Sequence, residues 1–506
     1  MHNPKRLRIA ILITILVGMI SGGRLMAQNR GNNFAFQGLG NTGEISAKAL
    51  ALGGAYTSIN GDIDAIQYNP AGLATIDRLQ LSFGAGMLSR AWTENQVYNQ
   101  NRLFYTLPFY LERLYIPDPA NNGKLDSDVF FDGLVDTAYV VAFPDTGLEP
   151  FSDAAADWKK KKMTTGPTNF AIAYPFLLSG KNVVVAAAWN KKMDFFDYDR
   201  NSTYLDPHLG YTEYDLPDLV NGLDTIRMSW SDFERSRSGS LQEFQAAVAI
   251  DLSKHIKTGF AFRYLTGETD DMLILNKIGD FDLIDQNEFA FSYDTLDLSI
   301  SGSSDFSGLK TELGLQLQYD AFGFGLNVVL PYTVKRDFSY AERTTNPQND
   351  MTNEIKGLEM FRVPLGYALG INLRPAEKFV FSLDYDLKRF SKAEWEIANN
   401  DTTHRNWVDQ QILRLGIQYA PFQVLSLRAG YRAIPQVFVP DGAPYRDKGP
   451  EARAWTVGFG LNLGQLGLLD VAGEYRILKY YDQYFSNTNY CKEVTKNLLI
   501  GYHYFF

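Results

Sequence analysis

Apolar and polar residues alternate with a period of two along most of the chain after residue 78. The clearest stretch is 455–463, where Trp, Val, Phe and Leu residues alternate with Thr, Gly and Asn. The same alternation occurs over 413–419 and 425–432. Because successive side chains of a β-strand point to opposite faces, this period predicts strands that each have one apolar and one polar face.

The spacing of the breaks in this pattern separates a membrane barrel from a soluble β-sandwich, which alternates in the same way. Short and long connections follow one another strictly between the alternating segments. We predict six tight turns and seven long loops, the long loops lying at 91–167, 200–239, 269–307, 342–358, 397–407, 437–451 and 484–492. Short turns at one rim and long loops at the other are typical of outer-membrane barrels. The sequence therefore predicts an all-β fold, an antiparallel transmembrane β-barrel of about 14 strands over 79–506.

Both ends of the chain predict export to an outer membrane. Residues 1–27 have a basic start, an apolar stretch and a small residue, Ala27, at the end, as in a signal peptide. The last strand alternates Leu, Ile and Tyr and ends on Phe506, an aromatic end of the kind that barrel assembly machinery recognises. We therefore expect a Gram-negative outer-membrane location, with membrane lipid, lipopolysaccharide and the assembly machinery as partners.

The composition limits the chemistry that the chain can perform. With 48 Lys and Arg against 58 Asp and Glu, the net charge is −10, which disfavours nucleic acid as a partner. None of the five histidines forms a ligand-spaced pair, and there is one cysteine, so we expect no metal site. The sequence has no cofactor-binding or catalytic motif in the structural context that such a motif requires. We therefore expect neither a cofactor nor enzyme activity.

A glycine-rich, non-alternating segment, 28–78, precedes the first predicted strand. A barrel of this size encloses a water-filled lumen unless something occupies it. We therefore predict that 28–78 folds back into the lumen as a hatch; a periplasmic stub is the alternative. Within it, Gly53 and Gly54 allow close packing, and Asn69-Pro70-Ala71 supplies a turn.

The Asn69-Pro70-Ala71 motif resembles the hatch of the FadL-type family of outer-membrane transporters for hydrophobic compounds, in which an Asn-Pro-Ala motif stands. The likeness extends to 379–395, 427–435 and 469–476, which are similar to late strands of that family. The resemblance implies passive diffusion of long-chain fatty acids or aromatic hydrocarbons through a plugged barrel. The family also includes shuttle proteins of a secretion system, so a shuttle or a structural barrel is the alternative function.

The resemblance also implies a lateral exit beside a kinked third strand. In the third predicted strand, 183–199, the alternation fails at Asn190 and Lys191, which are followed by another lysine. Consecutive polar residues of this kind indicate a kink or bulge, and these two residues are the candidates for the lateral opening. The alternative is that they mark the point where the strand leaves the membrane.

Arginines on the inward phase of the late strands are candidates for ligand binding. A guanidinium matches a carboxylate bidentately, so these residues suit the headgroup of a fatty acid. The alternative is that they pair with acidic residues of neighbouring strands and of the hatch. The ligand-binding candidates are Arg414, Arg428, Arg432 and Arg476, together with Phe34 and Phe36 at the start of the hatch.

Overall fold

The computed structural model describes residues 39–40, 43–98, 148–208, 226–283, 289–346, 349–397, 400–404, 407–440, 442–483 and 487–506. Within these residues, eighteen hydrogen-bonded segments form a single antiparallel sheet. Four pairs of consecutive segments are one strand interrupted along its length, so the sheet has fourteen strands. The predicted all-β fold and strand number are confirmed.

The strands follow one another around the barrel in chain order. They are β1 Gln80–Tyr98, β2 Trp158–Leu178, β3 Lys181–His208, β4 Ile226–Asp251, β5 Ile256–Leu283, β6 Phe289–Gln318, β7 Phe322–Val329 with Tyr332–Asn346, β8 Asn349–Val363 with Gly366–Ala376, β9 Phe379–Lys388 with Glu394–Ile397, β10 Asn400–His404 with Gln410–Phe422, β11 Leu425–Pro435, β12 Glu451–Asn462, β13 Leu468–Gln483 and β14 Asn487–Phe505. The first strand pairs with the last, from Gln80 opposite Phe505 to Tyr98 opposite Asn487. This pairing closes the sheet, so no edge strand is left open.

Several strands are longer at the outer rim than the apolar alternation predicted. β4 begins at Ile226 and β5 ends at Leu283, so the predicted loops 200–239 and 269–307 are wrong over much of their length. The predicted loops at 342–358 and 397–407 are also largely strand. In these outer stretches both faces carry polar residues, and the pattern that marks a lipid-facing strand is therefore lost. The opposite rim has the six predicted short turns, between β2 and β3, β4 and β5, β6 and β7, β8 and β9, β10 and β11, and β12 and β13.

A belt of large apolar side chains covers the outside of the barrel at the level of the regular strands. In a soluble protein a continuous surface of this kind would be buried, whereas lipid tails solvate it. Its exposed members include Phe83, Phe170, Ile172, Phe244, Phe262, Leu313, Ile371, Leu383, Leu415, Leu427, Val457 and Ile500. Closure, belt and rim asymmetry together define a transmembrane barrel of the Gram-negative outer-membrane type.

The described part of the hatch, residues 39–40 and 43–78, lies inside the barrel. It contains one short α-helix, α1 (Ala47–Ala51), and two 3₁₀ helices, Ile63–Gln67 and Pro70–Thr75. The side chain of Ser46 caps α1 by accepting a hydrogen bond from the backbone N–H of Ala49. In the described chain, the helices are short turns, and none has the length or hydropathy needed to span a bilayer.

Apolar contacts fix the hatch against the first strands of the wall. Ile63, Ile66 and Leu73 are fully buried against small residues of β2 to β5. The wall residues in this cluster are Ala171, Ala173, Val184, Ala186, Ala188, Ala247, Ala249 and Ala261. Small side chains on the inward face leave room for the hatch, which is therefore packed as a core and not suspended in water.

Candidate functional site

The hatch approaches the wall so closely that many facing wall residues are glycines. A Cβ added to Gly416 would lie 2.6 Å from the carbonyl oxygen of Leu52. The other wall glycines whose added Cβ would collide with hatch atoms are Gly259, Gly314, Gly325, Gly370, Gly430 and Gly458. In the hatch, Gly53 has φ +64°, and its added Cβ would lie 2.7 Å from the oxygen of Leu415. Close approach therefore requires glycine on both sides of this contact.

The Asn69-Pro70-Ala71 turn connects the hatch to the wall through one buried amide. The Oδ1 of Asn69 accepts from the N–H of Ala71 at 3.1 Å and so caps the following 3₁₀ helix. Its Nδ2 donates to the carbonyl oxygens of Thr57 in the hatch, Leu315 in β6 and Leu326 in β7, at 2.9, 3.2 and 3.3 Å. The motif thus fixes the position of the hatch relative to two wall strands.

Charged groups hold the upper part of the hatch. Glu44 lies 2.5 Å from Arg432 and 3.6 Å from Arg414. Burial by itself raises the pKa of Glu44, but Arg432, Arg414 and the Tyr68 hydroxyl outweigh it, so the pKa lies below its usual value. On the strand next to Arg414, Asp384 of β9 accepts hydrogen bonds from two consecutive hatch N–H groups at 2.8 and 2.7 Å.

The four predicted arginines all lie in the lumen, and each forms an ion pair with an acidic residue. Arg414 pairs with Asp386 at 2.5 Å and Arg476 pairs with Glu493 at 3.3 Å, while Arg428 pairs with Asp470 and Arg432 with Glu474. Pairing with acidic residues is the alternative to ligand binding that was stated for these arginines above. Arg414 borders the main cavity and Arg476 a smaller one. Phe34 and Phe36 lie outside the described residues.

The main cavity, of about 200 Å³, lies between the top of the hatch and the wall. Its outer half is apolar and its inner half, next to the hatch, is charged. The apolar lining consists of Leu39, Met193, Leu241, Leu265, Tyr332, Val334, Phe361, Val363 and Phe390. The charged lining consists of Glu44, Lys192, Glu243, Arg263, Lys310, Glu312, Asp386, Lys388, Arg389 and Arg414. This division between apolar and charged walls suits an amphipathic or apolar guest.

Most charges at the inner end of the cavity neutralise one another. Arg263 lies 2.7 Å from Glu312 and 3.6 Å from Glu243, and Lys310 lies 3.1 and 3.3 Å from the same two carboxylates. Lys388 differs, because its ammonium donates to the neutral amide oxygen of Gln410 at 3.2 Å. The sequence did not single out this residue as a site, although its inward phase in β9 was a usable signal.

The third strand leaves its neighbour β2 at the position where its alternation fails. The β2–β3 ladder ends with Asn190 opposite Asn169, and β3 has a bulge between Lys191 and Met193. Asn190 is fully buried and exchanges hydrogen bonds with Gln67 of the hatch at 2.6 and 2.9 Å. Lys191 pairs with Asp194 at 2.8 Å.

Beyond Asn190, side chains from β1 and β2 reach β3 in place of a backbone ladder between β2 and β3. Arg90 donates to the carbonyl oxygen of Asp194 at 2.6 Å, and Lys162 to that of Phe195 at 2.9 Å. Thr164 donates to the carboxylate of Asp194 at 3.0 Å. A cavity of about 70 Å³ lies behind this gap, and most of the residues that line it are polar or charged.

The closed fourteen-strand barrel with its internal N-terminal hatch matches the fold of several solved structures over nearly their whole length. The chain is similar to the structure titled as a Pseudomonas aeruginosa FadL homologue, with 10% identity, coverage of 91% of this chain and 98% of that chain, and a TM-score of 0.55. It is also similar to the Pseudomonas putida toluene transporter TodX, with 14% identity, coverage of 90% and 97%, and a TM-score of 0.53. For the Ralstonia pickettii toluene transporter TbuX the values are 11% identity, 90% and 97% coverage, and 0.50. No protein-family model matches the sequence, and no curated protein matches it.

Proposed function

We propose that this chain is a passive outer-membrane channel for hydrophobic small molecules. The observation that carries the proposal is the main cavity, which is bounded by the hatch on one side and the wall on the other and is apolar over its outer half. A guest in this cavity has passed the outer rim but not the hatch, which is the position of an intermediate in transport. The similar solved structures are titled as a FadL homologue and as toluene transporters.

We infer that the cargo includes long-chain fatty acids as well as aromatic hydrocarbons. The apolar half of the cavity suits either class, whereas Lys388 distinguishes them. Its hydrogen bond goes to the neutral amide of Gln410, so its charge is available to a carboxylate. Arg414 is less suited to this role because it already pairs with Asp386 and Glu44.

The gap between β2 and β3 supports a lateral release route beside Asn190. A cargo molecule that leaves there must displace the side-chain bridges from Arg90, Lys162 and Thr164 to β3. Such bridges exchange with water at lower cost than a continuous ladder. Exposed Lys161, on the outer part of β2 beside this gap, suits contact with lipopolysaccharide phosphates.

A secretion shuttle or structural barrel is the second candidate, and the ion pairs that line the lumen favour it. Such a protein needs no guest site, however, and the cavity between hatch and wall has no role in it. The two functions therefore differ in whether the cavity binds a hydrophobic molecule.

Binding and uptake measured together test the proposal. The purified protein should bind the fluorescent aromatic probe N-phenylnaphthylamine, and laurate should compete for the site. In a deletion strain that expresses the chain, Lys388→Met should lower uptake of labelled laurate and leave uptake of labelled toluene unchanged. Lys378→Met, at an exposed turn, is the matched control. A wild-type protein that binds no probe and restores no uptake would exclude transport.

A further inference from the structure

We propose a second lateral opening in the wall, between β8 and β9, that admits uncharged hydrophobic molecules from the outer leaflet into the main cavity. The inference rests on the proposed transport function and concerns the route of the cargo. The opening lies at a different place in the wall from the β2–β3 gap.

Four neighbouring strands are interrupted side by side at this place. The interruptions are 330–331 in β7, 364–365 in β8 and 389–393 in β9, and β10 is interrupted between His404 and Gln410. The β8–β9 ladder stops at Gly366 opposite Lys388 and resumes at Arg362 opposite Glu394. Three residues of β8 therefore face five residues of β9, so the two strands cannot remain in register across the interruption.

The backbone of β9 satisfies its hydrogen bonds here without β8. The N–H groups of Lys392 and Ala393 donate to the carbonyl oxygens of Arg389 and Phe390, at 3.0 and 2.9 Å. The N–H of Ser391 donates to the carboxylate of Asp409 at 3.0 Å. On the other side, Pro364 has no N–H to offer. Irregular backbone is tolerated in a barrel wall where it lines a cavity, and both segments meet that condition.

The interruption separates the main cavity from lipid by a single layer of chain. Pro364, Gly366, Arg389 and Phe390 line the cavity from this side. Leu365, between the first two, is 41% exposed on the outside of the barrel and continues the apolar belt of β8. A small displacement of β9 is therefore sufficient to join the apolar half of the cavity to the membrane.

The chemistry of this opening differs from that of the β2–β3 gap. Phe361, Phe390, Trp395 and Trp407 pack beside it with ring centroids between 4.9 and 5.2 Å for most pairs, as for Phe361 with Trp407 and with Trp395. The β2–β3 gap is bridged by charged and hydroxyl groups. Apart from the Arg362–Glu396 ion pair at its outer edge, the β8–β9 opening presents mainly apolar and aromatic side chains to an uncharged aromatic molecule. At the other gap such a molecule would displace polar contacts. The aromatic cluster thus favours entry of hydrocarbons between β8 and β9.

A label placed in the interruption tests the opening. Ser391→Cys introduces a thiol at an exposed position in β9, and the native Cys491 is buried and does not compete for reagent. A maleimide-polyethylene glycol then covers the opening from outside in intact cells. Arg343→Cys, exposed on the outer part of β7, is the matched control, and Lys392→Cys is a second position in the same turn.

Labelling of Ser391→Cys or Lys392→Cys should slow toluene uptake about tenfold relative to the same unlabelled protein, because the polymer covers the mouth of the cavity. Labelled Arg343→Cys should transport as before. The purified labelled proteins should still bind N-phenylnaphthylamine, because the cavity itself is unchanged. Unchanged uptake after complete labelling at both β9 positions would overturn the opening while leaving transport intact. Failure of the unlabelled protein to bind the probe would instead overturn the proposed function.

Discussion

Replacement of Asn69 by Asp separates the two tasks of this side chain. Aspartate is as good an N-cap as asparagine, so the hydrogen bond to the N–H of Ala71 survives. The amide donor is lost, and a carboxylate oxygen then faces the carbonyl oxygens of Thr57, Leu315 and Leu326. If capping the 3₁₀ helix were the only role of Asn69, Asn69→Asp would leave docking of the hatch unchanged.

The expected cost follows from these contacts. An amide has two protons, so the three acceptors share the equivalent of two hydrogen bonds, with a net worth of about 1 kcal/mol each. The second oxygen of the new carboxylate is buried without a donor, which adds about 1 to 3 kcal/mol. We expect Asn69→Asp to weaken docking of the hatch by about 3 to 5 kcal/mol, more than a hundredfold in the docking equilibrium. Asn69→Ala loses the cap but introduces no charge, and should cost about 2 to 3 kcal/mol.

Conductance in planar bilayers reports whether the hatch is docked, and heat-modifiable migration on a gel reports whether the barrel is assembled. Asn69→Asp should form barrels that conduct small ions more readily than wild type and more readily than Asn69→Ala. Asn462→Asp, at an exposed turn where the side chain accepts from Gly464, should behave as wild type. The reverse order, with the Ala variant leakier than the Asp variant, would refute the assignment of the amide as the connection to β6 and β7.

Four further outcomes are expected. Val457→Arg, on the lipid face, should lower the free energy of unfolding in vesicles by about 2 to 4 kcal/mol near the midplane, whereas Val457→Leu should change it little. Gly53→Ala should raise ion conductance, because its φ of +64° alone costs a residue with a Cβ about 1 to 2 kcal/mol. Phe506→Ser should reduce the fraction of heat-modifiable barrel, since it alters the end of β14; normal surface levels would contradict this. Because the pKa of Glu44 lies below its ordinary value of 4.5, its ion pairs persist from pH 7 to pH 5, and conductance should rise only when the pH falls below 4.5.

The strand number and the hatch were predictable because each follows from a local pattern. Alternation requires only neighbours in sequence, and a non-alternating glycine-rich segment before a wide barrel has few places to go. The partners of the arginines were not predictable, because Arg432 meets Glu44 across 388 residues of sequence. Which residues meet across such a separation in sequence depends on how the barrel closes and on the stagger between its strands. The alternation of apolar and polar residues encodes neither.

The outer parts of the strands escaped the sequence analysis for a different reason. Beyond the membrane the outside of the barrel faces water. The outward positions of a strand there carry polar residues, and the apolar residues that indicate a strand are missing. In the outer part of β4, Arg237 points inward to Asp271 at 2.7 Å, and the residues beside it in sequence are serines. A segment that contains a buried ion pair between polar residues has the composition of a loop, although its backbone forms a strand. The interruptions in β7, β8 and β9 were also missed. Pro331 and Pro364 mark two of them, but a proline occurs in turns as well as at interruptions of a strand, so it does not identify either.

The contacts of the hatch constrain the order in which the molecule is built. Gly53 donates its N–H to Thr456, which is 403 residues away, and Tyr56 donates its N–H to Asp384, which is 328 residues away. Both partners follow the hatch by more than 300 residues in sequence, so the hatch cannot complete its contacts until the late strands are in place. Once β1 and β14 have paired, the way in is closed along the whole seam. Docking of the hatch and closure of the barrel are therefore coupled, because the hatch completes its contacts only when β9 and β12 stand in the wall.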